Sequence, residues 1–363
     1  MEENGCTYRI LSINPGSTST KIGVFDGCKD IYQCTVRHAA EELEKFECIL
    51  DQKEMRLDLI TSKLEQNGIS LETIDAFVGR GGILNPMKSG VYTINDLMIH
   101  DLWNGKASAH ASALGGIFAS ELGKKYGKPS FIVDPVVVDE RNEVAKVSGI
   151  PDAPRTCVFH ALNQKSVARH YASSVDKRYE ECCLVVAHLG GGISVGAHEY
   201  GRIIDVNDAI DGEGPFSPER CGGIQADKLI NMCFSGNYSQ SQMLAYTSKA
   251  GGLLAHLGTT DCVKAEQMAA SGDETARMVL DAMAYNIGKE IGSMAAVLKG
   301  RAEAIILTGG LAYSKMLTEK ISAMVDFIAP VKLYPGEDEL RALAEGALRV
   351  LNGEEPPKEY GKC

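Results

Sequence analysis

Two stretches that read alike decide the fold: YRILSINPGSTSTKIGVFDG at residues 8–27 and CCLVVAHLGGGISVGAHEYGRIIDV at residues 182–206. In each stretch an apolar run enters a turn of small residues and a second apolar run leaves it, which predicts a β-hairpin with a polar tip. A third strand is predicted at Arg202–Val206, directly after the second hairpin. The two copies begin about 175 residues apart, a separation too long for a solenoid repeat and typical of a duplicated domain.

Strands and helices alternate along the rest of the chain, a pattern that predicts an α/β protein with mixed sheets. Strands are predicted at residues 74–78 and 304–307, and at residues 131–138 with an interruption at Asp134-Pro135. Helical spacing is found at residues 40–67 and 274–298.

Prolines and glycines punctuate residues 149–154, which favours a domain boundary there. We therefore expect a first domain over residues 1–150 and a second over residues 151–337. The C-terminal helix, within residues 338–363, is expected to pack back on the first domain.

Composition excludes several classes of function. The chain has 363 residues, with 48 Asp and Glu against 37 Lys and Arg. This acidic balance argues against a nucleic-acid or anionic-membrane partner, because both require a basic surface. The sequence shows no signal-peptide pattern and no apolar run of membrane-spanning length. Its 11 cysteines include no CxxC pair, so we expect a reducing, cytoplasmic location.

Small residues in the hairpin turns allow backbone N–H groups to approach a phosphate closely. The polar groups of the first turn are Asn14, Ser17, Ser19 and Lys21, and the second turn contains Gly190, Gly191 and Gly192. A third turn at Gly309 and Gly310 follows an apolar strand, where it would pass beside an adenosine. Each turn alone also fits an ordinary loop, and Lys21 fits either a phosphate contact or a solvated strand position. A P-loop is excluded because the first turn leads into a strand rather than a helix.

Arg80 lies between Gly79 and Gly81-Gly82 after an apolar strand, where its guanidinium could hold a carboxylate or phosphate in a forked contact. A solvated loop arginine is the alternative. Asp134 ends the strand that begins at Phe131, where its carboxylate could orient a substrate group or a magnesium ion.

Four segments occur in order along nearly the whole chain: ILSINPGSTSTKIGVF (10–25), VGRGG (78–82), VVAHLGGGISV (185–195) and ILTGGLAYS (306–314). Together they resemble the acetate kinase/butyrate kinase family of the actin-like ATPase superfamily. The match is closest to the butyrate kinase subfamily, because the turns read NPGSTS, LGGG and TGGLAY where acetate kinases have NAGSSS, LGNG and AGIGEN.

The resemblance implies two duplicated RNase H-like domains with ATP in the cleft between them. It also implies reversible transfer of the γ-phosphoryl of ATP to butyrate with Mg²⁺, giving butanoyl phosphate, by a homodimer or higher oligomer. A kinase of branched-chain fatty acids, propionate or acetate is the nearest alternative. An actin-like ATPase without a small acceptor is more remote.

The resemblance also assigns roles to single residues. It implies catalytic roles for Arg220 at the transferring phosphoryl, for His160 and for Asp134. Arg80 and His110 would bind the carboxylate, and His188 would contact a phosphate. Asn14 and one acidic residue after Pro335 would hold the metal, with Glu339 favoured and Glu337 second.

Overall fold

The computed structural model describes residues 7–105 and 110–362, which form two compact units. Unit 1 contains the chain up to Val138 and again from Asp338 onward, and unit 2 contains Asp139–Glu337. The Pro-punctuated stretch at residues 149–154 therefore lies inside unit 2.

Unit 1 is built on a seven-stranded mixed sheet. Its strands, numbered along the whole chain, are β1 (Arg9–Pro15), β2 (Ser19–Asp26), β3 (Lys29–Arg37), β4 (Ala76–Gly79), β5 (Val91–Thr93), β6 (Ser130–Val133) and β12 (Lys358–Glu359). The order across the sheet is β12-β5-β6-β4-β1-β2-β3. Strands β1, β2 and β3 are antiparallel, whereas β1, β4 and β6 run parallel.

The described residues of unit 1 form five α-helices: α1 (Ala40–Leu43), α2 (Lys53–Gln66), α3 (Asp96–Asn104), α4 (Ala113–Tyr126) and α12 (Glu339–Leu351). The helical spacing at residues 40–67 corresponds to two helices, α1 and α2, and a 3₁₀ segment at Ile49–Gln52 precedes α2. The strand predicted from Phe131 is interrupted at Asp134-Pro135, as the sequence indicates. It ends at Val133, since Asp134 has a positive φ and Pro135 has no N–H for a sheet hydrogen bond.

Unit 2 is built on a five-stranded sheet in the order β11-β10-β7-β8-β9. Its strands are β7 (Cys183–Leu189), β8 (Ile193–Glu199), β9 (Arg202–Val206), β10 (Ala304–Gly309) and β11 (Val331–Pro335). Its helices are α5 (Ala161–Ser174), α6 (Ala226–Cys233), α7 (Gln240–Ser248), α8 (Gly252–Leu257), α9 (Cys262–Ala270), α10 (Glu274–Val297) and α11 (Lys315–Val325). Helix α10 buries one face against the sheet through Leu280, Met283, Ile287 and Ile291, at helical spacing.

The two sheets repeat one arrangement. In each, a hairpin and a third antiparallel strand form one side, and two strands parallel to the first strand of the hairpin continue the sheet. The predicted hairpins at residues 8–27 and 182–206 begin the two copies. The duplication predicted from the sequence is therefore confirmed.

Candidate active site

Three candidate residues of unit 1, Asn14, Arg80 and Asp134, lie at one edge of its sheet, where neighbouring strands end. Strands β1, β4 and β6 are parallel, and Ile13, Gly79 and Ile132 are aligned across them. Asn14 follows Ile13 within β1, and Arg80 comes directly after β4. Because parallel strands end at the same edge, the chain brings these side chains together without a contribution from distant loops.

Glu339 completes this group from the start of α12. Glu339 is only 8% exposed. Its carboxylate accepts a hydrogen bond from Arg80 Nη1 on one oxygen and from Asn14 Nδ2 on the other. An acidic residue in the first turn of a helix is also favoured by the helix dipole. Unit 1 thus contains an Asn14–Glu339–Arg80 cluster.

Asp134 lies at the same edge but has different partners. Its Oδ1 accepts hydrogen bonds of 2.7 Å from both Ser89 Oγ and the Gly90 N–H. The residue is 3% exposed and has a φ of 38°, a left-handed conformation that is uncommon for a residue with a side chain. Within the described part of the chain, these bonds hold Asp134 to the segment before β5 and not to the Asn14–Glu339–Arg80 cluster.

The first turn exposes its polar side chains. Ser17 and Lys21 are exposed and Ser19 is half-buried. Lys21 lies directly opposite Asn14 in the β1–β2 register, and residues opposite each other in antiparallel strands project from the same face. Lys21 therefore shares the face of the hairpin that carries Asn14.

His110 lies on the surface just ahead of α4. Its Nδ1 is 2.8 Å from Ser112 Oγ and 3.2 Å from the Ser112 N–H. These contacts organise the start of the helix, and none of the described hydrogen bonds of His110 joins it to the cluster.

Arg80 is positioned by a backbone crossing between β4 and α4. A Cβ atom on Gly79 would lie 1.9 Å from the Gly115 carbonyl oxygen, and one on Gly115 would lie 2.5 Å from the Arg80 carbonyl oxygen. Only glycine permits this approach, which explains the glycines on both sides of the crossing.

We expect Gly79→Ala to lower the free energy of unfolding by about 3 kcal/mol or more, because backbone atoms cannot yield as a flexible side chain can. Urea unfolding measures the change. Gly149→Ala is the matched control, since its added Cβ meets nothing within 4 Å. Equal stability of the two variants would contradict the close backbone contact between β4 and α4.

Unit 2 brings His160 and His188 into a ring stack beside its glycine turn. The ring centroids are 3.7 Å apart with an angle of 8° between the planes. His188, at the end of β7, is 1% exposed, and its Nδ1 lies 2.8 Å from Asn163 Oδ1. His160 Nδ1 lies 2.9 Å from Ser194 Oγ. Two hydrogen-bonded partners therefore fix the orientation of the stack.

Glu337 lies against this stack rather than beside Asn14. Its Oε1 is 3.1 Å from His188 Nε2, and it would be 3.2 Å from a Cβ atom on Gly190. The structure thus joins Glu339 to the Asn14 cluster and Glu337 to the histidines of unit 2.

Arg220 packs directly on the second glycine turn. A Cβ atom on Gly192 would lie 1.8 Å from Arg220 Nη1, and this same nitrogen donates a hydrogen bond to the Ala209 carbonyl. Ser217 ties the two segments together, because its hydroxyl donates to the Gly191 carbonyl and accepts from the Arg220 N–H. Burial lowers the pKa of Arg220 from its ordinary value.

The Arg220 side chain also has a hydrogen-bond donor that is not used within the described residues. Among the described residues, its buried Nε has no hydrogen-bond partner. Buried donors are normally paired, so this N–H is available to an acceptor that a ligand would supply.

The third turn lies against the second. Gly309 has a φ of +87°, and a Cβ atom there would lie 2.4 Å from the Leu189 carbonyl oxygen, where β7 ends. Gly309 also exchanges backbone hydrogen bonds with Gly336. Gly310 is exposed and begins a 3₁₀ segment. Both glycine turns of unit 2 therefore meet at the carboxyl ends of the parallel strands β7 and β10.

The described residues contain no helix with both the length and the apolar character needed to cross a bilayer. They also contain no group of three or more His, Cys, Asp or Glu side chains arranged to hold a metal ion.

Comparison with known proteins supports the resemblance. Residues 152–330 match the model of the Acetokinase family. The acetate kinase of Porphyromonas gingivalis gives a TM-score of 0.79 at 18% identity, covering 95% of this chain and 100% of that one.

Two further solved structures are similar. The acetate kinase of Entamoeba histolytica gives a TM-score of 0.75 and the propionate kinase of Francisella tularensis subsp. tularensis SCHU S4 gives 0.74, each at 17% identity and each covering 93% of this chain and 98% of its own. The chain therefore has the fold of the acetate kinases, the duplicated RNase H-like fold of actin-like ATPases. These matches support the resemblance at the level of the fold. Membership of the acetate kinase family and the butyrate kinase assignment stay predictions.

Proposed function

We propose that this chain, whose residues 152–330 match the Acetokinase family model, is an ATP-dependent carboxylate kinase. It transfers the γ-phosphoryl of ATP reversibly to a short-chain carboxylate, and butyrate is the preferred acceptor. The observation that carries the proposal is the half-buried Arg220 side chain, whose guanidinium is fixed on the Gly190–Gly192 turn. A phosphoryl group on this turn would meet both backbone N–H groups and a cation.

The nucleotide is assigned to the turns of unit 2. Phosphoryl transfer depends on positioning and on neutralising charge more than on covalent chemistry. Arg220 would stabilise the equatorial oxygens of the transferring phosphoryl with donors that include its unpartnered Nε. His160 would donate a hydrogen bond to a phosphate oxygen through Nε2, because its Nδ1 can accept from Ser194 Oγ. His188 would contact a phosphate from the same ring stack, where its Nδ1 donates to Asn163 Oδ1.

The acceptor carboxylate is assigned to Arg80 in unit 1. Arg80 already binds a carboxylate there, that of Glu339, with 22% of its side chain exposed. A guanidinium has five N–H donors, so the same side chain can hold butyrate while it contacts Glu339. Asp134 would act at a distance as a positioning carboxylate, and His110 would have an auxiliary role.

Asn14 and Glu339 suit a magnesium ion. The two side chains lie in contact and offer amide and carboxylate oxygens, the ligands that hard cations prefer. One carboxylate and one amide are few ligands, which fits Mg²⁺ because it keeps several of its waters. When bound, the ion would supply positive charge to the phosphates of ATP.

Butyrate is proposed over acetate because the three turns have the sequences NPGSTS, LGGG and TGGLAY, which resemble those of the butyrate kinase subfamily. A methylene group changes binding by only about 1–3 kcal/mol. Propionate and branched acids therefore remain the closest competing acceptors. We further propose, on the resemblance alone, that the enzyme is cytoplasmic and forms a homodimer or higher oligomer.

The expected result with hydroxylamine is an acyl hydroxamate that forms only when ATP, Mg²⁺ and butyrate are all present, because hydroxylamine traps an acyl phosphate. Comparing kcat/KM from acetate to valerate, with isobutyrate included, should give the largest value for butyrate.

ADP formation without hydroxamate for any acid would instead support an actin-like ATPase and contradict the kinase. A maximum at acetate or propionate would keep the kinase and reject the butyrate preference.

A further inference from the structure

Arg56 is a fully buried arginine in the middle of α2, and it uses every donor of its guanidinium. Nε and Nη2 donate to Gln52 Oε1, at 3.0 and 2.7 Å. Nη1 donates to the Gly16 carbonyl at 2.7 Å and to Thr20 Oγ1 at 3.4 Å, and Nη2 donates to the Ser17 carbonyl at 2.8 Å. All five N–H groups therefore have acceptors, and two of these acceptors belong to the backbone of the first turn.

All of these acceptors are uncharged. Within the described part of the chain, Arg56 forms no ion pair with an acidic side chain. Burial lowers the pKa of Arg56 to about 10, so the guanidinium remains charged at neutral pH. A buried charge without a counter-ion is costly to a fold, and this cost calls for a role beyond packing.

His38 adds no charge to the network. It is 6% exposed, and its Nε2 lies 3.0 Å from Thr20 Oγ1. Burial, with a smaller contribution from the charge on Arg56, lowers the pKa of His38 to about 4. The imidazole is therefore neutral at pH 7, and Arg56 supplies the only positive charge of the network behind the turn.

The hydrogen bonds from this network fix three consecutive peptide groups. Arg56 holds the carbonyls of Gly16 and Ser17, and the backbone N–H of His38 donates to the Thr18 carbonyl at 3.0 Å. The structure contains no cis peptide bond among its described residues. In a trans peptide the C=O and N–H point in opposite directions. The N–H groups of Ser17 and Thr18 therefore point away from Arg56, and the N–H group of Ser19 points away from the His38 backbone.

We propose that Arg56 is a positioning residue for an anion-binding first turn. It holds the turn carbonyls inward, so that the N–H groups of residues 17–19 face a phosphate of the nucleotide, and it places a positive charge behind them. This inference rests on the proposed kinase function, which supplies the phosphate. It assigns to α2 a part in the reaction that none of the sequence motifs indicated.

The test compares wild type with Arg56→Met and Arg56→Lys by hydrogen exchange, using Mg²⁺ and the non-hydrolysable analogue AMP-PNP. In wild type, the analogue should slow amide exchange in peptides covering residues 14–20 and 185–195. Arg56→Met should lose the protection at residues 14–20 and keep the protection at residues 185–195. Arg56→Lys should keep part of the protection at residues 14–20, because lysine retains the charge but not the forked contact with two carbonyls.

Activity gives a second readout. Arg56→Met should lower kcat about 100-fold and change KM for ATP less than about threefold, because the lost interactions act on the transferring phosphoryl. Arg9→Met is the matched control. It removes an ion pair with Asp26 at the opposite end of the same β1–β2 hairpin, so it should lower the melting temperature without a comparable loss of kcat.

The outcomes separate the inference from the proposed function. Retained protection at residues 14–20 in a folded Arg56→Met variant would overturn the role of Arg56, as would a kcat loss no larger than that of Arg9→Met. Wild-type protein with no protection at either peptide would overturn nucleotide binding itself. If Arg56→Met does not fold, the Arg56→Lys variant tests the inference instead. Wild-type protection at residues 14–20 and wild-type kcat in Arg56→Lys would show that the forked contact with the two carbonyls is not needed, and would overturn the inference.

Discussion

Replacing Arg220 with alanine is expected to lower kcat about 1000-fold and to change KM for ATP less than about threefold. The guanidinium packs on Gly192, and its Nε has no partner among the described residues. A donor held in place before the reaction costs no reorganisation when charge moves onto the phosphoryl oxygens. Removing it should therefore raise the barrier of the chemical step and leave the affinity for ATP nearly unchanged.

Two further variants test whether position or charge matters at this site. Arg220→Lys keeps the charge and should recover little activity, because an ammonium group cannot reproduce the planar fork. Gly192→Ala should approach the loss of Arg220→Ala without touching the arginine, since its Cβ would lie 1.8 Å from Nη1. Near-normal kcat in Arg220→Ala would remove this residue from the mechanism.

Local sequence patterns were sufficient to predict both hairpins and the glycine turns. The apolar runs and small residues at 8–27 and 182–206 determine structure over a few neighbouring residues, and tertiary contacts reinforce the same choice. For this reason, the predicted bounds of the strand at residues 202–206 agree with those in the structure. Helices α7, α8 and α9 were not predicted, because each is at most nine residues long. Short apolar patterns do not separate helix from loop.

The contacts of the candidate site depend on topology, which sequence patterns do not carry. Glu339 lies 325 positions from Asn14 and 259 from Arg80, and only the return of α12 to unit 1 brings the three together. Asn163 and Ser194 orient the histidine stack. Neither was predicted as a site residue, although Ser194 lies within the VVAHLGGGISV segment. Arg56 was missed for a different reason: a helical arginine is usually exposed, so its burial had no sequence signal.

The contact between Arg80 and Glu339 leads to the second large effect. Arg80→Ala should raise KM for butyrate about 100-fold, since a hydrogen bond to a charged group contributes about 1.5–3 kcal/mol. The same change removes the cation that pairs with the buried Glu339 carboxylate. Loss of one partner of a buried pair leaves the other uncompensated, so the free energy of unfolding should fall as well.

Steady-state kinetics with butyrate as the varied substrate, together with urea unfolding, separate these two consequences. Adding Glu339→Gln to Arg80→Ala should restore much of the stability, because no buried charge is then left unpaired, but it should not restore KM for butyrate. Arg341→Ala is the control. It removes a more exposed ion pair with Asp338 at the start of the same helix, so KM for butyrate should stay within about twofold of wild type. If Arg80→Ala leaves KM for butyrate unchanged and abolishes ATP binding instead, Arg80 belongs to the nucleotide site, and the acceptor must be held by other residues of the chain.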